Sequence, residues 1–444
     1  MTSASIFADG FKTTPWWWEW APPTAEGAVP VPKETEVAII GSGYGGLSCA
    51  LELARSGVQA HVFEADAVFG TGASTRNGGG VSPGTNLGKG RAGYGKSTLE
   101  ARLGPEHAKA MLAEAAESFG HLEELIRREN IDCHYWPTGR FVGAAVPRHY
   151  DRLAKSVGKL QSGTNAGVSM LPRERQHEQI KSDRFHGGML VERSGRLHPA
   201  LLHKGIRDAA RRAGATMSVN AKVTAVERQG AGFIVRTAAG DVRAKEVVAT
   251  TNGYTGPELG WFRRRLVPVR SYIIATEELS EDQVRALIPN GRTIADTKRV
   301  LSYFGQSQDR RRILYGGRAS FAGDTPENTA RILHGMMTEV FPELGSARIT
   351  HGWTGYVAFT FDALPHFGQH DGIHYAMGCN GSGVVTMTWL GTQLGRKIAR
   401  TQNRPSAFDG VAFPTRPFYT GNPWFLPIVG EWYRFRDRLD RWLA

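Results

Sequence analysis

Residues 36–64 read EVAIIGSGYGGLSCALELARSGVQAHVFE, and this stretch decides the fold. The run Glu36–Ile40 predicts a buried strand, and Ala60–Phe63 predicts a second one. Between them the apolar spacing from Leu47 to Ser56 predicts a helix, which Gly57 ends. A strand, a helix and a strand in this order form the parallel unit of a doubly wound sheet. The sequence therefore predicts an α/β protein.

Three glycines of this stretch form the pattern G-x-G-x-x-G at Gly41, Gly43 and Gly46, between the first strand and the helix. The first glycine permits a tight turn, the second lets a pyrophosphate approach the backbone, and the third lets the helix pack on the strand. The helix N-terminus offers amides to phosphate. Glu64, at the end of the second strand, is placed to accept ribose hydroxyls. The unit predicts dinucleotide binding.

The segment after the second strand favours FAD over NAD as the dinucleotide. Instead of another plain helix and strand, the chain continues as the polar loop Gly70–Gly80, with the sequence GTGASTRNGGG. Such a loop can lie flat against a large planar ligand. The rest of the chain predicts further strands and helices: Pro199–Gly214 as a helix, Thr216–Val226, Gly232–Thr237, Val242–Val248, Leu266–Thr276 and Arg312–Gly316 as extended, Pro326–Phe341 as a helix and another helix ending near Ala399.

The predicted fold is a Rossmann-type FAD-binding domain interleaved with a smaller α+β substrate domain that contains an antiparallel sheet. The predicted division is a Trp- and Pro-rich arm at 1–33, an FAD-binding domain built from 34–130, 187–262 and 351–402, a substrate domain built from 131–186 and 263–350, and a C-terminal arm at 403–444. The tryptophans of the first arm are expected to pack it onto the body. The last arm has the pattern of an amphipathic helix, expected to dock on its own body rather than on a membrane or partner.

Composition narrows the function. The net charge of +12 over 444 residues comes from scattered basic residues without a nucleic-acid motif, so no nucleic-acid partner is expected. The three cysteines are far apart and no histidine pair has metal-ligand spacing, so neither a disulfide framework nor a metal site is expected. With no signal peptide or long apolar run, the expected location is the cytoplasm, without membrane contact.

The Gly72–Gly79 loop and a late segment together resemble the D-amino acid oxidase family of flavoenzymes. The late segment runs GYVAFTFDALPHFG from Gly355 to Gly368 and continues as YAMGCNGSGV from Tyr375. Within the family it most resembles the γ-glutamylputrescine oxidases. The resemblance implies the glutathione-reductase-like variant of the FAD fold, cofactor contacts from Ser74, Arg76, Asn77 and Gly78, and an adenine contact from Val223.

The late glycines add a physical argument, because amides of Gly381–Val384 at a helix N-terminus could face the flavin edge that gains negative charge on reduction. The complete set of candidate cofactor residues is Gly41, Ser42, Gly43, Tyr44, Gly45, Gly46, Glu64, Ala65, Gly72, Ala73, Ser74, Arg76, Asn77, Gly78, Gly79, Val223, Thr251, Gly355, Gly381, Ser382, Gly383 and Val384. Some family members tether flavin through a cysteine before the late Asp-x-x-Pro. Residues 352–362 contain none, so noncovalent FAD is expected, with Cys379 as a packing residue.

The predicted reaction is oxidation of an amine. Hydride transfer from a carbon bearing a neutral nitrogen to flavin N5 gives an imine, which hydrolyses to an aldehyde or keto acid, with O2 as acceptor and H2O2 as product. Tyr303, Phe304 and Tyr356 are expected over the flavin. Arg270, Tyr272 and Arg318 are candidates to bind a carboxylate or polar tail.

Three alternatives remain open at this point. The first is an amine or amino-acid dehydrogenase with another acceptor, and the second is a hydroxylase fed by NAD(P)H, for which no second dinucleotide motif is visible. The third is a flavin-binding protein without turnover.

Overall fold

The computed structural model describes residues 5–84, 87 and 97–444. Its strands are β1 Phe7–Lys12, β2 Glu34–Ile40, β3 Ala60–Phe63, β4 Gly80–Val81, β5 Arg140–Gly143, β6 Val168–Leu171, β7 Gly188–Val191, β8 Gly195–Arg196, β9 Thr216–Ser218, β10 Val223–Gln229, β11 Gly232–Thr237, β12 Gly240–Ala249, β13 Leu266–Thr276, β14 Thr293–Asp296, β15 Ser302–Gln306, β16 Ile313–Gly317, β17 Ile349–Thr360, β18 His366–His370 and β19 Ile373–Met377.

The helices are interspersed with these strands along the chain, and the last two follow the final strand. They are α1 Tyr44–Arg55, α2 Ser97–Leu103, α3 Pro105–Arg128, α4 Pro147–Thr164, α5 Pro199–Arg212, α6 Gly260–Arg263, α7 Glu281–Leu287, α8 Pro326–Val340, α9 Gly383–Ile398 and α10 Leu426–Trp442. Short 3-10 turns include Trp16–Glu19 and Ala73–Thr75.

One sheet carries the strand–helix–strand unit. Its parallel part has the order β19-β12-β2-β3-β9, and β18 pairs antiparallel with β19. The antiparallel ribbon β10-β11 extends β12. Helix α1 packs against both α5 and α9, and the core beneath these helices includes Leu47, Leu53 and Leu390, each without exposed surface. This is the predicted Rossmann-type sheet, with the strand ends directed at one edge.

A second sheet has nine strands in the order β1-β17-β13-β16-β15-β14-β5-β7-β6. Most neighbours are antiparallel, as predicted, whereas the pairs β1/β17 and β14/β5 are parallel. Helix α8 covers one face, where Leu333 and Met337 pack on Tyr315 and Phe341. The opposite face is turned toward the first sheet. The two sheets define a mixed α/β fold.

The predicted elements of the nucleotide unit agree closely with the structure. β3 has the predicted bounds, β2 begins two residues before the predicted Glu36, and α1 begins at Tyr44 rather than Leu47. The difference at α1 arises because the first helical turn is the glycine turn itself, which carries no apolar periodicity. Prediction from apolar spacing therefore found the helix but not its functional first turn.

The predicted segment boundaries differ from the sheets at three places. β7 and β17 lie in residue ranges that were predicted for the FAD-binding domain, yet both belong to the nine-stranded sheet, and β1 of the predicted arm joins its edge. β1 and β17 pair with strands that are distant in sequence, and β7 has only four residues, so local pattern does not reveal the sheet of any of the three. We propose that the domain boundaries near 187 and 351 move to the ends of β7 and β17.

Helix α10 docks on the body, as predicted for the C-terminal arm. Asp437 accepts hydrogen bonds from the backbone amides of Arg299 and Val300 (3.1 and 2.9 Å), and Asp440 accepts one from the Arg299 guanidinium at 2.6 Å. No helix of the described chain is long and apolar enough to cross a membrane.

Candidate active site

A cavity of about 1700 Å³ lies between the two sheets. It exceeds the roughly 300–1,000 Å³ of a small-ligand site, so it has room for a dinucleotide together with a second molecule. Its walls are the glycine turn, the loop 70–80, the face of the nine-stranded sheet that is turned away from α8, and α10.

The glycine turn after β2 requires its glycines for steric reasons. Gly41 has φ +102°, a conformation that side chains rarely adopt. A Cβ at Gly46 would lie 2.0 Å from the Gly41 carbonyl oxygen, so the third glycine is the contact between helix and strand. Gly46 does not line the cavity, whereas residues 41–45 do. The turn thus has the cradle geometry that a pyrophosphate needs.

The loop 70–80 is fixed to the start of α1. The Ser74 hydroxyl accepts a hydrogen bond from the backbone amide of Tyr44 at 3.0 Å. The Tyr44 phenol points into the core, where it donates to the carbonyl of Pro199 at 2.9 Å. Tyr44 therefore presents its backbone rather than its phenol hydroxyl to a ligand.

Glu64 lies at the end of β3, where its carboxylate accepts hydrogen bonds from the Ser42 hydroxyl and, at 3.0 Å, from the Asp66 amide. Ala65 and Val223 line the same end of the cavity. A carboxylate beside the glycine turn is the arrangement that binds ribose hydroxyls.

Arg76 holds the loop rather than projecting freely. Its Nε donates to the Thr71 carbonyl at 2.6 Å, and its Nη1 donates to the Thr354 carbonyl of β17 at 3.1 Å. The guanidinium also lies over the Trp18 ring, 4.6 Å from its centre. Burial lowers the pKa of Arg76. The side chain thus joins the loop, the N-terminal arm and the second sheet.

The tryptophans of the N-terminal arm brace the same loop. Trp17 is fully buried and its Nε1 donates to the Asn77 carbonyl at 2.8 Å. Trp18 Nε1 donates to the Thr75 hydroxyl at 3.1 Å, and the Asn77 side-chain oxygen accepts from the Gly79 amide at 2.9 Å. The arm packs onto the body, as the sequence predicts, and its contact is the loop predicted to touch FAD.

The late glycine segment forms the N-terminus of α9. Gly381 has φ +90°, and Gly381, Gly383 and Val384 line the cavity while Ser382 does not. A residue absent from the predictions seats this helix: a Cβ at Gly391 would lie 2.1 Å from the Gly45 carbonyl oxygen. The close α1–α9 approach brings two helix N-termini to one cavity. The only sequence signal for it was a glycine inside a helical pattern.

Tyr303 is the predicted site residue that the structure places most centrally. Its ring contacts the loop, because a Cβ at Gly78 would lie 2.8 Å from Tyr303 Cε2. Its hydroxyl hydrogen bonds with the Ser271 hydroxyl at 2.9 Å. Burial raises the pKa of Tyr303 to about 12, so the phenol is neutral at pH 7.

Two of the predicted substrate residues pack their rings into the core beneath α8. Phe304 is part of the cavity lining, but its ring stacks on Tyr315 with ring centres 5.0 Å apart and packs against Phe341, on the α8 side of the sheet. Tyr272 belongs to the same core and does not line the cavity. Successive residues of a strand point to opposite faces of the sheet. Phe304 therefore points away from the face that carries Tyr303, and Tyr272 points away from the face that carries Ser271 and Ile273.

Arg270 and Tyr356 form a pair at the rim of the cavity. Arg270 Nε donates to the Tyr356 hydroxyl at 3.2 Å, across the β13–β17 register. Tyr254, which was not predicted, lies edge-on to Tyr356 with ring centres 5.4 Å apart. Arg270 is thus partly occupied by a phenol, which leaves it less suited to bind a carboxylate alone.

Arg318 is the predicted cation with the clearest ligand-binding geometry. It lines the cavity, its guanidinium lies over Phe359 at 4.9 Å, and its only protein acceptor in the described chain is the Arg299 carbonyl at a long 3.4 Å. Among the described residues, no carboxylate oxygen lies within 4.0 Å of it. Burial lowers its pKa. A buried guanidinium without a paired carboxylate favours an anionic ligand.

The fold and the cavity define the class of protein, a flavoenzyme of the FAD dependent oxidoreductases. The family model described as "FAD dependent oxidoreductase" (DAO) matches residues 36–396. The chain belongs to this family, and FAD is its cofactor.

Among known proteins, the chain is 32% identical over 414 residues to the γ-glutamylputrescine oxidoreductase of Escherichia coli (strain K12), covering 91% of this chain and 93% of that protein. It is 28% identical over 417 residues to the probable oxidoreductase OrdL of Rhizobium meliloti (strain 1021), covering 92% and 94%. The glycine oxidase of Geobacillus kaustophilus has a TM-score of 0.67 at 21% identity, covering 87% of this chain and 99% of that one.

The residues present fit FAD. The glycine cradle, the carboxylate of Glu64 and the two helix N-termini line one continuous cavity. Cys379 also lines it, is half-buried and packs against the core, as expected for a packing residue. Burial raises the pKa of its thiol, which disfavours the thiolate form.

Proposed function

We propose that the protein oxidises a primary or secondary amine with FAD, O2 accepting the electrons. The observation that carries this proposal is the chemistry of the sheet face opposite the loop. The residues that β13, β15, β16 and β17 contribute to the cavity include no Asp, Glu or His, and the acid that β14 contributes, Asp296, is paired with Lys298 at 3.0 Å. Hydride removal from a carbon bearing a neutral nitrogen needs no strong base, only a positioned C–H bond.

The protein's residues have separate tasks in this proposal. The neutral Tyr303 phenol and Ser271 hydroxyl offer hydrogen bonds to the polar part of the substrate, and Arg318 binds an anionic part. FAD, when bound, accepts the hydride at N5. The carbon–nitrogen single bond becomes an imine, which water hydrolyses to a carbonyl compound and an amine or ammonia.

We also propose that FAD is held noncovalently by the predicted cofactor residues that line the cavity. Glu64 would bind the ribose hydroxyls, and the amides at residues 41–45 and 381–384 would face the pyrophosphate and the flavin. Denaturing the protein should release all the flavin into solution. For Glu64→Gln we expect an FAD dissociation constant raised about tenfold, measured by fluorescence on reconstitution of the apoprotein.

The substrate panel follows from the relatives. One relative is named for γ-glutamylputrescine, so γ-glutamyl amines are tested first, beside polyamines, N-methyl amines and amino acids. The purified protein is mixed anaerobically with each compound, and absorbance at about 450 nm is followed, because reduction bleaches the flavin band there. Bleaching by one amine class supports the proposal, and bleaching by NADPH alone contradicts it.

Admitting air to the reduced protein tests the acceptor. Recovery of the yellow spectrum with formation of peroxide identifies O2, and a reduced flavin that persists in air identifies a dehydrogenase with another acceptor. Because the three cysteines are free, we propose that the protein is located in the cytoplasm. Cell fractionation tests this proposal.

A further inference from the structure

We propose that α10 carries a substrate-binding residue, Arg436, and that Arg436 and Arg318 together bind a carboxylate of the substrate remote from the oxidised carbon–nitrogen bond. The inference rests on the proposed function and adds the class of substrate. It concerns a helix that lies beyond residues 36–396, the part of the chain that matches the family model.

One side of α10 forms a wall of the cavity. Leu426, Val429, Tyr433 and Arg436 follow one another at intervals of three or four residues, and all line the cavity. Residues at this spacing share one face of a helix. The neighbouring side carries Asp437 and Asp440, which bind Arg299 and fix the rotation of the helix. Arg436 is therefore directed to the cavity by the way the helix is anchored.

The Arg436 guanidinium has no protein anion to neutralise it. Its Nε is buried without a hydrogen-bond partner, and no carboxylate oxygen of the described residues lies within 4.0 Å. By contrast, Arg434 on the same helix pairs with Glu431 and donates to the Ala319 carbonyl at 2.9 Å. The residues outside the described ranges include no Asp or Glu, so they hold no acidic partner for Arg436.

Arg436 and Arg318 belong to one wall. The bond from Arg434 to the Ala319 carbonyl places α10 beside the end of β16, next to Arg318. Tyr433, one turn before Arg436, lies edge-on to Phe321, three residues after Arg318, with ring centres 6.4 Å apart. A half-buried cation without a partner is costly, and the cost falls when a ligand supplies the anion. Two guanidinium groups on one wall select a carboxylate, which takes two parallel N–H donors.

The test measures binding without turnover. The FAD-loaded protein is titrated by calorimetry with glutarate, a dicarboxylate that has no amine to oxidise, and with glutaramide, its neutral analogue. We expect glutarate to bind and glutaramide to bind at least about tenfold more weakly. For Arg436→Gln we expect the glutarate dissociation constant to rise about tenfold or more.

Arg438→Gln is the matched control, because Arg438 lies on the same helix, is exposed and does not line the cavity. Its glutarate affinity should stay within about twofold of the unmodified protein. Arg436→Lys keeps the positive charge but lacks the paired N–H donors. Its glutarate dissociation constant should lie between those of Arg436→Gln and Arg438→Gln. Flavin content and unfolding temperature are measured for every variant, so that a folding defect in Arg436→Gln is detected. If Arg436→Gln is misfolded, the glutarate affinity of Arg436→Lys tests the role of Arg436 instead.

The proposal is overturned if the unmodified protein binds no glutarate, if glutaramide binds equally well, or if Arg436→Gln and Arg438→Gln lose affinity equally. Failure of the proposed function is a separate result, because it appears as a flavin that no amine bleaches while glutarate still binds.

Discussion

The nucleotide end and the substrate end of the cavity are built in different ways. At the nucleotide end the walls are mainly backbone: the turn at residues 41–45, the loop 70–80 and the start of α9. These segments need small residues, because Cβ atoms at Gly46 and Gly391 would overlap carbonyl oxygens. At the substrate end the walls are side chains of Tyr303, Arg318 and α10.

The difference shows how each kind of recognition is encoded. A backbone cradle is local, so a short glycine pattern specifies it. A side-chain wall is assembled from strands and a helix that are far apart in sequence, so it depends on strand register and on where the last helix docks. The two ends should therefore respond differently to mutation: the first through sterics and cofactor content, the second through ligand affinity.

The largest effect on cofactor content is expected from Gly46→Ala. The added Cβ would lie 2.0 Å from the Gly41 carbonyl oxygen and 2.9 Å from the Thr250 hydroxyl, so the turn must open. We expect the flavin-to-protein ratio of the purified variant to fall about tenfold or more, measured by absorbance.

Gly335→Ala is the control for that substitution. Gly335 is exposed within α8 and a Cβ there meets nothing within 4 Å. It should keep its flavin and gain about 0.5–1 kcal/mol of stability from helix propensity. Full flavin in Gly46→Ala would contradict the account of the cradle.

Two neighbours on β15 distinguish the faces of the substrate sheet. Phe304→Ala removes a buried ring from the α8 side and should lower the free energy of unfolding by about 3–5 kcal/mol, measured with denaturant. Tyr303→Phe removes only the hydroxyl bonded to Ser271 and should cost about 1 kcal/mol while weakening substrate binding. The reverse order of stabilities would mean that the two faces are assigned wrongly.

Acid should weaken the nucleotide domain through buried histidines. His61 bonds Thr216 and Ser218 through its two ring nitrogens, and burial lowers its pKa to about 4. Because the pKa is lower in the folded state, its contribution is full above about pH 6.5 and is lost as the pH falls toward 4, while the unfolded chain takes up the proton. The altered pKa of His61 alone should lower the free energy of unfolding by about 1–2 kcal/mol between pH 6.5 and 5.

Thermal unfolding across that pH range measures the effect. His61→Asn should reduce the pH slope of stability, and His177→Asn, at an exposed site on the substrate side, should leave it unchanged. Equal slopes in all three proteins would exclude His61 as the source.

The smallest effect is expected at the N-terminal arm. Trp17→Phe retains a buried aromatic ring but lacks the indole N–H that donates to the Asn77 carbonyl. FAD binding should therefore weaken by about 1 kcal/mol. Fluorescence titration of the apoprotein measures this. Trp20→Phe is the control, since Trp20 is 40% exposed and its indole is not bonded to the loop. If both variants bind FAD equally well, the arm does not position the loop.

The sequence could predict the first strand–helix–strand unit because its signals are contiguous from Glu36 to Glu64. It could also have separated Tyr303 from Phe304, since adjacent residues of a strand face opposite sides, but that step requires Ser302–Gln306 to be recognised as a strand first. The assignment of β17 to the second sheet was out of reach because its partners β1 and β13 are remote in sequence, and that of β7 because a four-residue strand carries too little pattern.

Arg436 illustrates the other limit. In the sequence it is one of several arginines on an amphipathic helix, and no local feature distinguishes it from Arg438. Only the anchoring of Asp437 and Asp440 on Arg299 decides which arginine faces the cavity. Positions of this kind depend on tertiary contacts and not on periodicity.

If the protein is an amine oxidase, a C–H bond beside the amine nitrogen is broken as flavin is reduced. Rapid anaerobic mixing tests this with the amine of the panel that bleaches the flavin, either unlabelled or deuterated at the carbon bearing the oxidised nitrogen. The account predicts bleaching of the flavin band that is slower with the deuterated substrate. Bleaching by NADPH with no response to any amine of the panel would contradict it.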